Sequence, residues 1–313
     1  MVSAFVFPGQ GSQAIGMGKD LAGAFAAARE VFEEVDAALG QSLFRLMQEG
    51  PEEELTLTEN AQPALMAVSI AAVRVIEKEG GKPLPQICAC VAGHSLGEYS
   101  ALAAAGALSL SDAARLLKLR GQAMQKAVPV GTGAMAALLG AEVEQALAVC
   151  SEAAQGEIVE VANDNGGGQV VISGHKDAVG RAVEVAKAKG IRRAMMLSVS
   201  APFHCALMRP AADAMARALE GVALSPPGVP VVANVTAAPA VDPARIRTLL
   251  VQQVTGRVRW RECVLAMKAM GVDRMAELGA GKVLTGMLKR IDRDVAGVAL
   301  NTPADIAAFL KPA

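Results

Sequence analysis

The chain has 313 residues and a formal net charge of -1 at pH 7; 52% of its residues are hydrophobic and only 3% are aromatic. This length allows one large hydrophobic core or two unequal cores, so we expect a main domain with a smaller companion. The balanced charge excludes both the basic surface of a nucleic-acid-binding protein and the acidic composition of a disordered chain.

The N-terminal stretch predicts neither secretion nor membrane anchoring. No basic region precedes its apolar run, and Gly9 and Gly11 end that run far below membrane-spanning length. The five cysteines include no C-x-x-C pair and no His/Cys cluster, which argues against a disulfide framework and a structural zinc site. We therefore expect reduced thiols in a cytoplasmic protein, with Cys205 as a small buried filler rather than a nucleophile.

The first predicted elements alternate between strand and helix. They are a strand at 3–7, helices at 18–39 and 60–79, a strand at 87–92 and a helix at 98–105. Pro8-Gly9 closes the first strand in a tight turn. The apolar run 87–92 is continuous, which is typical of a strand buried on both faces.

A different pattern begins after residue 128. It predicts a strand at 134–139, a helix at 142–154, strands at 158–162 and 169–173, a helix at 176–189 and a strand at 192–197. This β-α-β-β-α-β order is that of the ferredoxin-like unit.

The chain then returns to the first pattern. The remaining predicted elements are a strand at 231–234, a helix at 259–270, a strand at 274–277 and a turn at 278–281 before another helix. We therefore predict an α/β protein with a large α/β-hydrolase-like domain around a parallel sheet, formed by residues 1–127 and 198–313. A smaller inserted ferredoxin-like (βαββαβ) subdomain occupies residues 128–197.

The G-x-S-x-G sequence at 93–97 predicts an exposed, reactive serine. Glycines on either side let the backbone turn sharply between strand and helix, so that the Ser95 hydroxyl projects at the sheet edge. The amide of Leu96 then lies at a helix N-terminus, where it favours a developing oxyanion.

A reactive serine needs a base, and the chain has only three histidines. His94 adjoins the serine on a tight turn, where neighbouring side chains project apart. His175 lies at the start of a helix in the inserted subdomain. His204 remains, in a loop that re-enters the large domain, and is the predicted general base.

These motifs and five others resemble the malonyl-CoA:acyl-carrier-protein transacylases of fatty-acid synthesis. The resemblance runs nearly end to end and covers Phe7 to Gln13, Gly93 to Tyr99, Arg120-Gly121 with Met124-Gln125, Gly133 to Met135, Gln169 to Gly174, Ser200 to His204, and Gly279 to Leu284.

The resemblance implies a role for each matching residue. Ser95 is the nucleophile, His204 is the base, and the backbone amides of Gln10 and Leu96 form the oxyanion hole. A main-chain carbonyl near Gln253 orients the imidazole, so that the site resembles a dyad rather than a triad.

Arg120 matches the arginine that holds the free carboxylate of malonate in a bidentate pair. From the local sequence alone, an arginine after Lys118 on an exposed helix predicts only solvated charge. Asn163 and Asn165 match a loop that faces the active site, but an Asn-Asp-Asn-Gly run is also ordinary turn chemistry, and their role stays open.

The resemblance implies ping-pong transfer of malonyl from malonyl-CoA to acyl carrier protein, without a metal or redox cofactor. We expect a cytoplasmic monomer that binds neither nucleic acid nor membrane. An acidic carrier is expected to meet a basic patch, at Lys187 to Arg193 or at the arginines of 257–261.

Four alternatives remain at this stage. A serine hydrolase that cleaves acyl-CoA thioesters or esters needs the same serine and histidine, and an acyltransferase of polyketide synthesis has the same chemistry. Residues 9–14 fit the dinucleotide-binding pattern G-x-G-x-x-A, but the strand and acidic residue expected about 20 positions on are missing. A non-catalytic scaffold would be expected to lack the serine, the histidine or the arginine, and all three are present.

Overall fold

The structure is a computed structural model that describes residues 2–311. Its strands are β1 (Ser3–Phe7), β2 (Cys90–Gly93), β3 (Gly133–Leu139), β4 (Val159–Asp164), β5 (Gln169–His175), β6 (Arg193–Met196), β7 (Val231–Ala233), β8 (Ala238–Ala240), β9 (Arg274–Leu278) and β10 (Ala296–Leu300).

The α-helices follow in chain order. They are α1 (Lys19–Ala24), α2 (Ala26–Leu39), α3 (Leu43–Glu49), α4 (Glu52–Thr56), α5 (Thr58–Gly80), α6 (Gly97–Ala104), α7 (Leu110–Lys126), α8 (Val143–Ala154), α9 (Lys176–Ala188), α10 (Arg209–Glu220), α11 (Pro243–Thr255), α12 (Trp260–Ala269), α13 (Val283–Ile291) and α14 (Pro303–Leu310). Within residues 2–311, every helix is too short or too polar to cross a lipid bilayer.

A six-stranded sheet forms the centre of the larger unit, in the order β10-β9-β1-β2-β7-β8. All neighbouring pairs are parallel except β7 with β8. In the register of β1 and β2, Phe7 lies opposite Gly93. The two strands therefore end side by side, which brings the segments of Gln10 and Ser95 to the same edge of the sheet.

A second sheet is fully antiparallel, in the order β4-β5-β3-β6, with α8 and α9 packed against it. Its core consists of small aliphatic side chains such as Ala136, Leu138 and Ile172, which are completely buried. The predicted architecture, a parallel-containing sheet with a separate βαββαβ unit, is confirmed. The predicted bounds of the two domains stay a prediction.

The two sheets are joined beside the end of β4. The backbone amide of Val258 donates to the carbonyl of Ala162 at 2.8 Å, and the amide of Asp164 donates to the carbonyl of Val258 at 2.9 Å. Arg261 Nε also donates to the Asp164 carboxylate at 2.9 Å. The end of β4, which carries Asn163, and the following loop, which carries Asn165, are therefore tied to the larger unit.

Two predicted elements differ from the structure. The single helix expected over 18–39 is broken at Phe25, which adopts an extended backbone with φ -130° and ψ 127°. The strand expected from residue 87 begins at Cys90, because a 3-10 helix at Leu84–Gln86 precedes it. The helices α1, α2 and α3 occupy the region where a dinucleotide-binding fold needs its second strand, which argues against that alternative.

Candidate active site

Ser95 lies on a strained turn between β2 and α6. Its φ of 54° is in the left-handed region, which costs energy for a residue with a Cβ. Both flanking glycines are required: a Cβ on Gly93 would lie 1.9 Å from the Gly97 carbonyl, and one on Gly97 would lie 2.3 Å from the Phe7 carbonyl oxygen. Asn234 fixes the turn, since its Oδ1 accepts from the Ser95 amide at 2.8 Å and its Nδ2 donates to the Gly93 carbonyl at 2.7 Å.

His204 lies next to this serine. Its Nε2 is 2.7 Å from Ser95 Oγ, and its Nδ1 is 2.9 Å from the backbone carbonyl oxygen of Gln253. A carbonyl can only accept, so Nδ1 carries the proton and Nε2 presents its lone pair to the serine hydroxyl. This geometry allows the imidazole to take the serine proton.

Burial keeps this imidazole neutral. Desolvation, together with the nearby charge of Arg120, lowers the pKa of His204 to about 3, although the hydrogen bond from Nδ1 to Gln253 opposes the shift. The neutral ring is the form that can act as a base.

Two backbone amides are available beside Ser95. Gln10 follows β1 and Leu96 precedes α6, and both residues line the same cavity as Ser95. Across residues 2–311, neither amide donates to another group of the protein. A pair of unengaged amides next to a nucleophile can stabilise a developing oxyanion.

Arg120, on α7, is buried with 1% exposure, so the solvated charge predicted from local sequence alone is wrong. Its Nη1 donates to Gln62 Oε1 at 2.8 Å, and its Nη2 donates to Gln253 Oε1 at 2.9 Å and to Ser95 Oγ at 3.2 Å. Among the described residues, no carboxylate forms an ion pair with it. A buried cation held only by neutral oxygens favours an incoming anion.

The other two histidines have different partners. His94 Nε2 is 2.9 Å from Asn165 Oδ1, so the turn contacts the loop after β4, and burial lowers the pKa of His94. His175 Nδ1 accepts from the Ile158 amide at 3.0 Å within the smaller unit.

Cys205 is completely buried, and its Sγ donates to the Pro202 carbonyl at 3.2 Å. Burial raises the pKa of its thiol to about 11, so that it is protonated at neutral pH, as expected of a filler. Asn163 is also buried, with 7% exposure, beside the bridge between β4 and Val258.

A single cavity of about 710 Å³ includes Ser95, His204 and Arg120 in its walls, together with residues of both units. The sequence did not indicate four residues that hold this site together: Thr58, Gln62, Glu98 and Asn234. Glu98 had one signal, since it is the only charged residue of a short helix composed mainly of alanine and other uncharged residues, which indicates a buried, partnered group.

Comparisons with known proteins agree with this geometry. A family model described as "Acyl transferase domain" matches residues 4–304. The malonyl CoA-acyl carrier protein transacylase of Escherichia coli (strain K12) is 49% identical over 308 residues, which cover 98% of each chain.

Solved structures agree as well. The crystal structure of acyl-carrier-protein-S-malonyltransferase from Bartonella henselae shares 56% identity and a TM-score of 0.97, covering 99% of this chain and 98% of that one. A type II PKS acyl-carrier protein in complex with its malonyl-transacylase gives 47% identity and a TM-score of 0.95 over 99% of each chain. The chain therefore belongs to the malonyl-CoA:acyl-carrier-protein transacylases, within the acyl transferase domain family.

Proposed function

We propose that the chain transfers a malonyl group from malonyl-CoA to the phosphopantetheine thiol of an acyl carrier protein, through an acyl-enzyme on Ser95. The observation that carries this proposal is the meeting of Ser95, His204 and the buried Arg120 in one cavity of a chain from this family.

The first half-reaction acylates the serine. His204 Nε2 takes the proton as Ser95 Oγ attacks the thioester carbonyl, and the amides of Gln10 and Leu96 stabilise the oxyanion. The tetrahedral intermediate collapses, the carbon–sulfur bond breaks, and the leaving thiolate takes the proton from the imidazolium as CoA-SH.

The second half-reaction reverses these steps. The carrier's phosphopantetheine thiol gives its proton to His204 and attacks the ester carbonyl, after which Ser95 Oγ leaves and regains a proton from His204. The malonyl group ends as a carrier thioester, and the free serine is restored. The Gln253 carbonyl keeps the Nδ1–H of His204 in place throughout.

Arg120 supplies the selectivity in this proposal. Its guanidinium can pair with the free carboxylate of malonate, and the absence of an acidic partner among residues 2–311 leaves its charge available for that purpose.

We also propose where the protein acts and which class of carrier protein it serves. The five cysteines are free thiols in the structure, which supports a cytoplasmic location. We assign the carrier to fatty-acid synthesis, and similarity to the malonyl-transacylase bound to a type II PKS carrier makes a polyketide carrier the second candidate.

The test is intact mass after brief incubation with malonyl-CoA, for the native chain and for Ser95→Ala. We expect a malonyl adduct on the native chain alone, followed by loss of the adduct when either class of carrier protein is added. An adduct on Ser95→Ala, or none on the native chain, would contradict the acyl-enzyme. Free malonate released faster than carrier thioester would indicate a hydrolase.

A further inference from the structure

Glu98 is a buried carboxylate that the proposed mechanism does not use. It lies in the first turn of α6, three residues after Ser95, with 2% exposure. Its Oε2 accepts from the backbone amide of Asn234 and from Gln253 Nε2, both at 2.9 Å. Within residues 2–311, no Lys, Arg or His forms an ion pair with it. Both of its hydrogen-bonding partners therefore belong to the network that surrounds the reactive serine.

Gln253 contacts every reactive group of the site. Its backbone carbonyl accepts from His204 Nδ1, and its side-chain Oε1 accepts from Arg120 Nη2 at 2.9 Å. Its Nε2 donates to the Ser95 carbonyl and to Glu98 Oε2, each at 2.9 Å. The orientation of the side-chain amide thus affects the cation Arg120 and the turn that carries Ser95, whereas the base is held by the backbone carbonyl of the same residue.

A primary amide has one donating end and one accepting end. A guanidinium only donates, whereas an ionised carboxylate and a backbone carbonyl only accept. Arg120 on one side, and Glu98 with the Ser95 carbonyl on the other, therefore permit a single orientation of the Gln253 amide. In the flipped orientation the Nε2–H groups would face the N–H groups of Arg120, and Oε1 would face the carboxylate. Both contacts would be repulsive in a buried site, where unpaired polar groups are costly.

We propose that Glu98 is a positioning residue for the choice of acyl group. Together with the Ser95 carbonyl, its carboxylate fixes the Gln253 amide with the oxygen toward Arg120. This orientation holds the guanidinium beside Ser95, where the carboxylate of the acyl group binds. This inference rests on the proposed function, because it concerns the same site. It adds a residue that touches neither substrate nor nucleophile side chain and acts through Gln253.

The protonation state of Glu98 sets the conditions of the test. Burial raises the pKa of its carboxyl to about 7, although the hydrogen bonds from Asn234 and Gln253 and the charge of Arg120 oppose the rise. Measurements at pH 8 therefore observe mainly the ionised form, which accepts at both oxygens.

The experiment compares the rates of acyl-enzyme formation from malonyl-CoA and from acetyl-CoA, which lacks the free carboxylate. In Glu98→Leu we expect the malonyl-to-acetyl ratio of rates to fall by about tenfold, the usual scale of one lost charge-assisted hydrogen bond. Glu98→Gln has the same size and keeps an acceptor oxygen for both donors, so its ratio is expected to stay within about threefold of the native value. A purely structural role would lower both rates together.

Gln253→Leu makes the result independent of the folding of Glu98→Leu, and the double variant tests whether the two residues act together. Gln253→Leu leaves Glu98 in place and keeps the backbone carbonyl, and is expected to lower the ratio as Glu98→Leu does. In the double variant Glu98→Leu with Gln253→Leu, the malonyl-to-acetyl ratio is expected to be no lower than in Gln253→Leu alone, because Glu98 acts only through Gln253.

Glu277→Leu is the matched control. Glu277 is also buried, with 1% exposure, and accepts from the amides of Leu284 and Thr285 and from the Thr285 hydroxyl, none of which bonds to Gln253 or Arg120. We expect it to lower stability without changing the ratio. An unchanged malonyl-to-acetyl ratio in Gln253→Leu would overturn the proposal for Glu98, and so would an equal change of the ratio in Glu277→Leu. If the native chain forms no malonyl adduct, the proposed function is rejected instead.

Discussion

At the scale of single residues, the hydroxyl of Thr58 connects two sides of the site. Its Oγ1 donates to Gln10 Oε1 at 3.0 Å and accepts from Gln62 Nε2 at 2.9 Å. Gln62 Oε1 in turn accepts from Arg120 at 2.8 Å. This chain of hydrogen bonds joins the residue proposed for the oxyanion hole to the residue proposed to bind the carboxylate.

Thr58→Val is predicted to disturb both ends of that chain. The variant has a similar shape but removes the hydroxyl that the buried Gln62 amide donates to, and an unpartnered buried group costs about 1–3 kcal/mol. It also releases the side chain of Gln10, which is exposed to solvent. We expect acyl-enzyme formation from malonyl-CoA to slow by about tenfold, measured by quenched intact mass. Thr58→Ser keeps the hydroxyl and serves as the control; equal losses in both variants would show that packing, and not the hydrogen bond, matters at this position.

The sequence indicated some of these residues and missed others for a physical reason. Ser95 and His204 were predicted because the turn chemistry around the serine is local and histidines are few. Arg120 was assigned only through the resemblance, although the spacing of Ala113, Leu117 and Met124 on α7 is helical and indicates a buried face that includes position 120. Thr58 contacts Gln10 and Glu98 contacts Asn234 and Gln253, which lie far away in the chain, and no spacing rule predicts such contacts.

At the scale of elements, the strand–turn–helix around Ser95 depends on close backbone contact between β1 and the start of α6. Gly97→Ala is predicted to cost about 3 kcal/mol or more, because its Cβ would lie 2.3 Å from the Phe7 carbonyl oxygen, and backbone cannot move aside as a side chain can. The measurement is the free energy of unfolding in urea, together with formation of the acyl-enzyme.

Gly180→Ala provides the comparison for that variant. Gly180 lies in α9, and a Cβ there would meet nothing within 4 Å. Alanine favours a helix interior over glycine by about 1 kcal/mol, so this variant is expected to gain stability. If both variants were equally stable, the close approach at Gly97 would not be what the turn requires.

The strands of the smaller unit were predicted well, whereas two edge strands and the helices α10 and α11 of the larger unit are missing from the prediction. The strands of the smaller unit begin and end within about two residues of their predicted positions, because alternation and continuous apolar runs are local signals. Our prediction contains neither β8 nor β10. Both are edge strands with largely exposed or half-buried side chains, and β10 is fixed by pairing with β9 rather than by its own pattern.

At the scale of the whole molecule, the site lies where the two units meet. The sequence predicted both units but not how they contact each other. The hydrogen bonds between them, from Arg261 to Asp164 and from Arg290 to Gln169, join residues that are 97 and 121 positions apart in the chain. The bounds 1–127, 128–197 and 198–313 remain a prediction, supported by the confinement of β3 to β6 to residues 133–196.

A buried active site also couples the stability of the whole chain to pH. The pKa of the Glu98 carboxyl is raised to about 7 from its ordinary 4.5, so the folded chain retains a proton that the unfolded chain releases between these values. Stability must therefore fall as pH rises through this window, because the folded state binds more protons than the unfolded state. His204 acts in the opposite sense, since its lowered pKa costs stability as pH falls below its ordinary 6.5.

Glu98→Gln separates the contribution of Glu98 to the pH dependence of stability from that of His204. His204 is present in both chains, so its contribution largely cancels when their free energies of unfolding are compared. The variant cannot titrate at this position, so we expect it to gain about 2 kcal/mol of stability relative to the native chain between pH 5 and pH 8. Urea unfolding of both chains at the two pH values, under reducing conditions, measures this difference. A difference that does not change with pH would mean that the pKa of Glu98 is close to its unfolded value, and that the carboxylate is ionised throughout the range in which the site works.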